Sequence, residues 1–330
     1  MARRRLTDKQ RERIANIQEK RRQKAAERAE QSLAEAAGEE SEGRVVVRHG
    51  QNLIVRNDER EVHCLFRQNL GDVVCGDKVL WQETADGEGV VTAVLERDTT
   101  LSRPDYSGRD KPIAANISQL VVVLAPEPMP SGYLLDQYLI AAERIGVKAV
   151  ICLNKADLLE GDEKQEFLEA FSHYEALDYP LIQVSAKTEL GLDPLFERLR
   201  DNTSILVGQS GVGKSSLINA ILPSEEVEEG RLSDATGLGR HTTSAATLYQ
   251  LPSGGEIIDS PGVRSFRLGK LDRQELQAGY PELRALMGQC RFSNCAHIDE
   301  PGCAVQEALE RGEIHPARLN SFLHMASQLD

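Results

Sequence analysis

The sequence predicts a multi-domain protein. A small β-barrel comes first, then an α/β domain with a doubly wound parallel sheet, then a helical segment built around cysteines. Three observations predict it. Between Arg44 and Leu95 the chain breaks into short β-branched runs separated by turn residues. From about Ile117 continuous apolar runs alternate with helical patterns. After about Leu268 the pattern is mostly helical and holds three cysteines and a histidine within 14 residues.

The 330 residues suffice for two or three domains, and 40% hydrophobic residues supply a sizeable core. No apolar run approaches the roughly 18 residues of a membrane span, so no membrane association is expected. The basic start has no apolar stretch behind it, which argues against a secretory signal and for a cytoplasmic protein. Charge is unevenly spread. Residues 1–28 hold 11 Lys/Arg against 4 Asp/Glu, a surplus of +7, and the other 302 hold 28 against 48, a deficit of −20. A basic arm on an acidic body suits contact with a polyanion. Nothing suggests a dimer seam, so a monomer is expected.

The arm, residues 1–43, is rich in Arg, Lys, Glu, Gln and Ala and poor in large apolar residues. Residues 44–100 carry the strand-like runs, among them Val62-His-Cys-Leu-Phe66 and Lys78-Val-Leu-Trp81, with turns at Gly50, Gly71-Asp72, Gly76-Asp77 and Asp86-Gly87. Five or so strands in that length make a small barrel. The oligonucleotide-binding type fits the size, and periodicity does not choose it over another small barrel. No element is assigned between Leu95 and Ile117.

Residues 101–268 form the α/β domain. Strands are expected at 118–124, 148–153, 181–184 and 204–207, with helices at 133–145, 164–174, 193–200 and 215–222, and a hairpin around Ser253-Gly-Gly255. Gly208-Gln-Ser-Gly-Val-Gly-Lys-Ser215 follows one of those strands and opens a helix with Ser216. This is a phosphate-binding loop in its proper context. The glycines let backbone N–H groups of Gln209, Ser210, Gly211, Val212 and Gly213 turn toward phosphate oxygens, and the helix N-terminus adds its positive end. Lys214 is placed to reach the β- and γ-phosphates and Ser215 to offer its hydroxyl to Mg²⁺. Asp259-Ser-Pro-Gly262 ends a strand 45 residues beyond Lys214. Its carboxylate suits Mg²⁺ through water, and the Gly262 N–H suits a γ-phosphate. Between the two lies Gly237-Leu-Gly-Arg-His-Thr-Thr243, a loop in which Thr242 or Thr243 is the candidate for Mg²⁺ and the γ-phosphate.

Asn154-Lys-Ala-Asp157 follows the strand at 149–153. Asp157 can accept both the N1–H and the 2-amino hydrogens of guanine. Adenine would leave that carboxylate unpaired, at a cost of about 1–3 kcal/mol, which disfavours an ATP-driven reading. Asn154 can bond the base edge or brace the phosphate loop, Lys155 can cover a ring face, and Ala156 belongs to the same nucleotide-binding segment. The backbone of Ser185-Ala186-Lys187 suits the guanine O6. These base-reading segments precede the phosphate loop, the reverse of the ordinary order, so the sheet is circularly permuted. GTP or GDP with Mg²⁺ is the expected ligand.

Cys290, Cys295, His297 and Cys303, in the segment 269–330, offer three thiolates and an imidazole, a donor set for one structural tetrahedral Zn²⁺. The other cysteines, Cys64, Cys75 and Cys152, stand in apolar strands and are expected to be buried.

Together, GQSGVGKSS, GRHTT, DSPG, NKAD, their permuted order and C-x4-C-x-H-x5-C resemble the RsgA (YjeQ) family of circularly permuted GTPases. The resemblance implies an oligonucleotide-binding barrel, a central GTPase domain and a zinc domain. It further implies binding to the small ribosomal subunit and its rRNA, action in late maturation of that subunit, and GTP hydrolysis stimulated by it. Many GTPases carry a water-orienting Gln just after D-x-x-G, where this chain has Val263, so slow intrinsic hydrolysis is expected. The resemblance suggests His241 as the catalytic group. Gly211 replaces the Asn that binds K⁺ in some permuted GTPases, so no K⁺ site is expected. The competing reading is an RNA-binding ribosome chaperone for which GTP is mainly a structural ligand.

Overall fold

The computed structural model describes residues 39–50, 52–66, 68–105, 107–222, 246–260 and 268–329. Residues 1–38 of the arm, the loop with His241, Thr242 and Thr243, and Gly262 and Val263 lie outside them. The chain divides into two compact units. The first comprises the described residues up to Arg97 with Ala246 and Thr247, and the second holds the rest.

In the first unit, β1 (Ser41–His49), β2 (Asn52–Arg56), β3 (Glu61–Phe66), β4 (Lys78–Glu83) and β5 (Gly89–Val94) close a ring. β1 pairs with β2, β2 with β3, β3 in parallel with β5, β5 with β4, and β4 with β1. Five strands closed this way form an oligonucleotide-binding type of barrel. β1 serves both neighbours by bending at the register shift between Val45 and Val47. It starts at Ser41, inside the stretch expected to be arm. Leu53, Val55, Val62, Cys64, Phe66, Val79 and Trp81 fill the interior, each worth about 1.5–3 kcal/mol of burial for a side chain of Val or Leu size. At Gly89 a Cβ would stand 2.5 Å from Cys64 Sγ and 2.9 Å from Trp81 Cε3, so only glycine lets β5 approach. Asp77 is fully buried. Its carboxylate accepts from the Val74 N–H at 2.8 Å and from Arg97 Nε at 2.7 Å, so the loop before β4 is tied to the end of the unit.

The second unit opens with a hairpin, β6 (Thr100–Pro104) and β7 (Asp110–Ala115), where the sequence suggested no element. Pro104, Pro112 and the charged run between them hide its strand pattern. The sheet follows: β8 (Gln119–Leu124), β9 (Lys148–Leu153), β10 (Leu181–Gln183), β11 (Thr203–Val207) and β13 (Glu256–Asp259), with β12 (Ala246–Gln250), of which Ala246 and Thr247 belong to the first unit, preceding β13 in the chain. β10, β9, β8, β11 and β13 lie side by side in that order, all parallel. All six residues of β8 are buried, which is why it reads as an unbroken apolar run. Helices α1 (Gly132–Ile145), α2 (Gly161–Ser172), α3 (Leu192–Leu199) and α4 (Lys214–Ile221) connect the strands. Ser131 caps α1 by accepting from the Leu134 N–H at 3.3 Å, and Gly146 ends it at φ 72°.

Four further helices, α5 (Arg273–Ala278), α6 (Pro281–Arg284), α7 (Ala304–Glu310) and α8 (Pro316–Ala326), complete the chain. They fall in the same compact unit as the sheet, with Ile140 of α1 in one apolar cluster with Leu276, Tyr280, Ile314 and Phe322. At the heart of that packing Arg318 is 1% exposed. It bonds Asp136 of α1 and, at 2.7 Å, Glu282, with its guanidinium 4.3 Å from the centroid of the Tyr280 ring. Burial works against the charge, but Asp136 and Glu282 outweigh it and hold Arg318 protonated.

Candidate nucleotide site and metal centre

Because β8, β9, β10, β11 and β13 run parallel, their C-terminal ends share one edge, the place where open α/β sheets bind ligands. The structure brings the loops named from the sequence to that edge. The 208–213 loop follows β11, Asn154–Asp157 follows β9, Ser185–Lys187 follows β10, and Asp259 ends β13.

The phosphate loop is built on glycine. Gly208 has φ 141°, and a Cβ there would stand 2.3 Å from the Val123 carbonyl oxygen of β8. Gly213 has φ 90°, and a Cβ there would meet Asn154 Nδ2 at 2.4 Å. Neither position admits a side chain. Lys214 lies across the loop and donates to the Gly208 and Gln209 carbonyls, both at 2.7 Å. Ser215 and Ser216 are exposed on the first turn of α4. A helix N-terminus, a glycine backbone free of side chains and an ammonium together have the chemistry to hold an anion. Ser215 and Asp259 supply hard oxygen donors of the kind Mg²⁺ takes.

Asn154 joins the base loops to the phosphate loop. It is 1% exposed. Its Nδ2 donates to the Val212 carbonyl at 2.9 Å, and its Oδ1 accepts from the Ala186 N–H at 3.2 Å. Asp157 accepts from Ser185 Oγ at 2.6 Å, so the carboxylate is oriented by the neighbouring loop. A cleft of 210 Å³ opens here, lined by Asn154, Lys155, Asp157, Ser185, Lys187 and Gly213 among others. That is below the roughly 300–1,000 Å³ of clefts for drug-sized ligands. A volume of that size has room for a heterocyclic base.

Three contributors went unnoticed in the sequence. Glu127, in the loop after β8, offers its carbonyl to Lys155 Nζ at 2.7 Å. Leu158 lines the cleft. Tyr138 of α1 is buried against the phosphate loop. Burial pushes its hydroxyl up to about 12, against a hydrogen bond from the Gly208 backbone. None of these has a local pattern to betray it.

The second constellation is the cysteine–histidine cluster. The ligand atoms of Cys290, Cys295, His297 and Cys303 lie within 4.8 Å of one another. His297 Nδ1 stands 3.5 Å from Cys290 Sγ and 3.4 Å from Cys303 Sγ, and the two sulfurs are 3.9 Å apart. A tetrahedral ion with metal–sulfur bonds of about 2.3 Å and metal–nitrogen bonds of about 2.0 Å requires edges of about 3.8 and 3.5 Å, so the residues fit such a metal. Burial, with Arg273 adding to it, lowers the His297 pKa and favours the neutral imidazole a metal needs. The remaining cysteines, Cys64, Cys75 and Cys152, are buried, and burial lifts each to about 12. Among the described residues no helix is long and apolar enough to cross a membrane.

A family model described as RsgA GTPase matches residues 94–269. A Pseudomonas aeruginosa protein named small ribosomal subunit biogenesis GTPase RsgA is 44% identical over all of this chain and 98% of its own length. A protein of the same name from Alcanivorax borkumensis is 45% identical over all of this chain and 97% of its own. Among solved structures, YjeQ from Thermotoga maritima matches with a TM-score of 0.71 and 33% identity, covering 88% of this chain and 99% of that one. YloQ, described as a circularly permuted GTPase, matches at 0.69 and 29%, covering 88% and 95%.

Proposed function

The chain belongs to the RsgA GTPase family, and from that membership we propose that it is a GTP phosphohydrolase of small-subunit assembly. It binds the small ribosomal subunit and its rRNA, acts in late maturation of the subunit, and hydrolyses GTP when the subunit stimulates it. It works in the cytoplasm as a monomer, alternating between GTP and GDP. The basic arm over 1–43 and the barrel over 44–100 face the RNA, 101–268 is the GTPase, and 269–330 carries one structural Zn²⁺ on Cys290, Cys295, His297 and Cys303. The observation that carries the reading is the Asn154 brace, which binds base-reading and phosphate-gripping loops into one pocket.

In that pocket Asp157 selects guanine, Lys155 and Ala156 flank the ring, and the Ser185-Ala186-Lys187 backbone meets O6. The amides of the 208–213 loop and Lys214 hold the β- and γ-phosphates. Ser215, Asp259 and one of Thr242 and Thr243 would hold Mg²⁺, which neutralises developing charge on the phosphates. Gly262 meets the γ-phosphate. Val263 cannot orient water, and His241 is the group assigned to that task. Single-turnover hydrolysis of GTP with and without small subunits tests this. A rate that rises with added subunits is expected, and His241→Ala should abolish the rise. Val263 also favours the second reading, an RNA-binding chaperone with GTP as a structural ligand. A rate indifferent to subunits, with binding retained, would establish that instead.

A further inference from the structure

The four-residue cluster draws on a helix outside its own loop. His297 turns Nδ1 toward the cysteines, and its other nitrogen, Nε2, stands 3.3 Å from Gln277 Oε1 of α5. The orientation of that amide follows from its other end, since Gln277 Nε2 donates to the Leu283 carbonyl at 3.3 Å. An acceptor facing Nε2 requires the proton on Nε2, which leaves the Nδ1 lone pair free for a metal. α5 contributes a second bond to the same loop, from Arg273 Nη2 to the Ala296 carbonyl at 2.9 Å.

α5 is itself firmly seated. Asp272 and Glu275 form a reciprocal capping box at 2.8 and 2.9 Å. Leu276 is 1% exposed. Behind it, a Cβ on Gly279 would stand 2.5 Å from Ile140 Cγ2 of α1, so the end of α5 lies directly on that helix. The His297 backbone is held separately: its φ is 62°, its carbonyl accepts from Gln306 Nε2 at 2.6 Å, and Glu300 accepts from the flanking Ala296 and Ile298 N–H groups. With the backbone held by those contacts, the Gln277 carbonyl is left to orient the ring and choose its tautomer.

We infer that Gln277 is a positioning residue of the metal centre, setting the His297 tautomer from α5 and so the affinity of the Cys290–Cys295–His297–Cys303 site for a tetrahedral divalent cation. The inference rests on the metal reading above. Partners of this kind raise ligand basicity and fix ring orientation, and losing one weakens metal binding by roughly 10–100-fold. The 3.3 Å contact is long, which places Gln277 at the lower end, about tenfold.

The test uses the full chain, stripped of metal and titrated with Co²⁺ and with Zn²⁺ against a chromophoric chelator. Wild type is compared with Gln277→Met, which keeps length and loses the acceptor, and Gln277→Glu, which keeps the acceptor and adds charge. The dissociation constant should rise about tenfold in Gln277→Met. Gln277→Glu should bind as tightly as wild type or tighter. Long-range ¹H–¹⁵N spectra of the metal-free protein should show His297 protonated on Nε2 in wild type and Gln277→Glu, and a mixed tautomer in Gln277→Met. A misfolded variant would lose the metal-free protein's thermal transition, and Gln277→Glu then carries the test through its affinity and tautomer. Unchanged affinity and tautomer in a folded Gln277→Met would overturn the inference while the metal site stands. No tetrahedral Co²⁺ spectrum in wild type would overturn both.

Discussion

Asn154 Nδ2 donates to the Val212 carbonyl at 2.9 Å across 58 positions of sequence, and its Oδ1 takes the Ala186 N–H at 3.2 Å. One buried amide thus ties three loops from three strands. Asn154→Ala removes both bonds and leaves the Val212 carbonyl and Ala186 N–H without them. At about 0.5–1.5 kcal/mol for each bond, the dissociation constant for GDP should rise roughly 5–150-fold. Equilibrium titration with a fluorescent GDP checks it, with an unchanged circular dichroism spectrum as control.

Asp157 is oriented by Ser185 Oγ at 2.6 Å to present its carboxylate to the cleft. Asp157→Asn exchanges one acceptor oxygen for a donor, which suits the 2-carbonyl of xanthine and opposes the 2-amino group of guanine. GTP binding should fall by a factor of about 10 or more, and binding of xanthosine triphosphate should rise above that of GTP. Competition between the two nucleotides measures the switch directly.

Arg318 is enclosed by Asp136, Glu282 and two tyrosine rings. Arg318→Met strands two buried carboxylates and should cost about 3–5 kcal/mol of stability. Adding Asp136→Asn and Glu282→Gln in the same chain removes the stranded charges and should recover much of the loss. Urea unfolding of the single and the triple variant tests this, and equal losses in both would argue against it.

Among the described residues, both buried ring nitrogens of His173 find no hydrogen-bond partner, and its ring stacks on His315 at 3.9 Å. Burial, then His315 and Arg318, lower its pKa from 6.5 to about 4. The unfolded chain therefore takes up a proton that the folded chain refuses. Stability from this site is complete above pH 6.5 and drains away as pH falls toward 4. Thermal unfolding between about pH 7 and pH 5 should show a steeper loss in wild type than in His173→Phe.

The loop from Cys290 to Cys303 contains no regular helix or strand, yet it lies between α6 and α7 in one apolar cluster. Removing metal with a chelator should lower the unfolding temperature and expose α5–α8 to proteolysis, and Zn²⁺ should restore both. Because thiolates and a neutral imidazole are the ligands, affinity should fall with falling pH.

Legibility followed the length of the pattern. The phosphate loop, Asn154–Asp157, Ser185–Lys187 and the cysteine–histidine spacing were readable because each lies within one short stretch of chain that holds all its donor and acceptor groups. The β6–β7 hairpin was missed because Pro104 and Pro112 interrupt the β-branched alternation that marks a strand. The packing of the helical tail was not legible, because its apolar face is completed by Ile140 of α1, which no local window contains.

By itself the sequence determined the chemistry on offer: an anion cradle, a carboxylate suited to guanine, a soft tetrahedral ligand set and the permuted order of these parts. Residue type and spacing along the chain suffice for that, since they specify which donors and acceptors exist. Tertiary structure alone decided which of them act together. Asn154 meets Val212, Arg318 meets Asp136, and Gln277 meets His297 only after strands align and helices pack. A hydrogen bond forms over about 3 Å, and that proximity is a property of the fold.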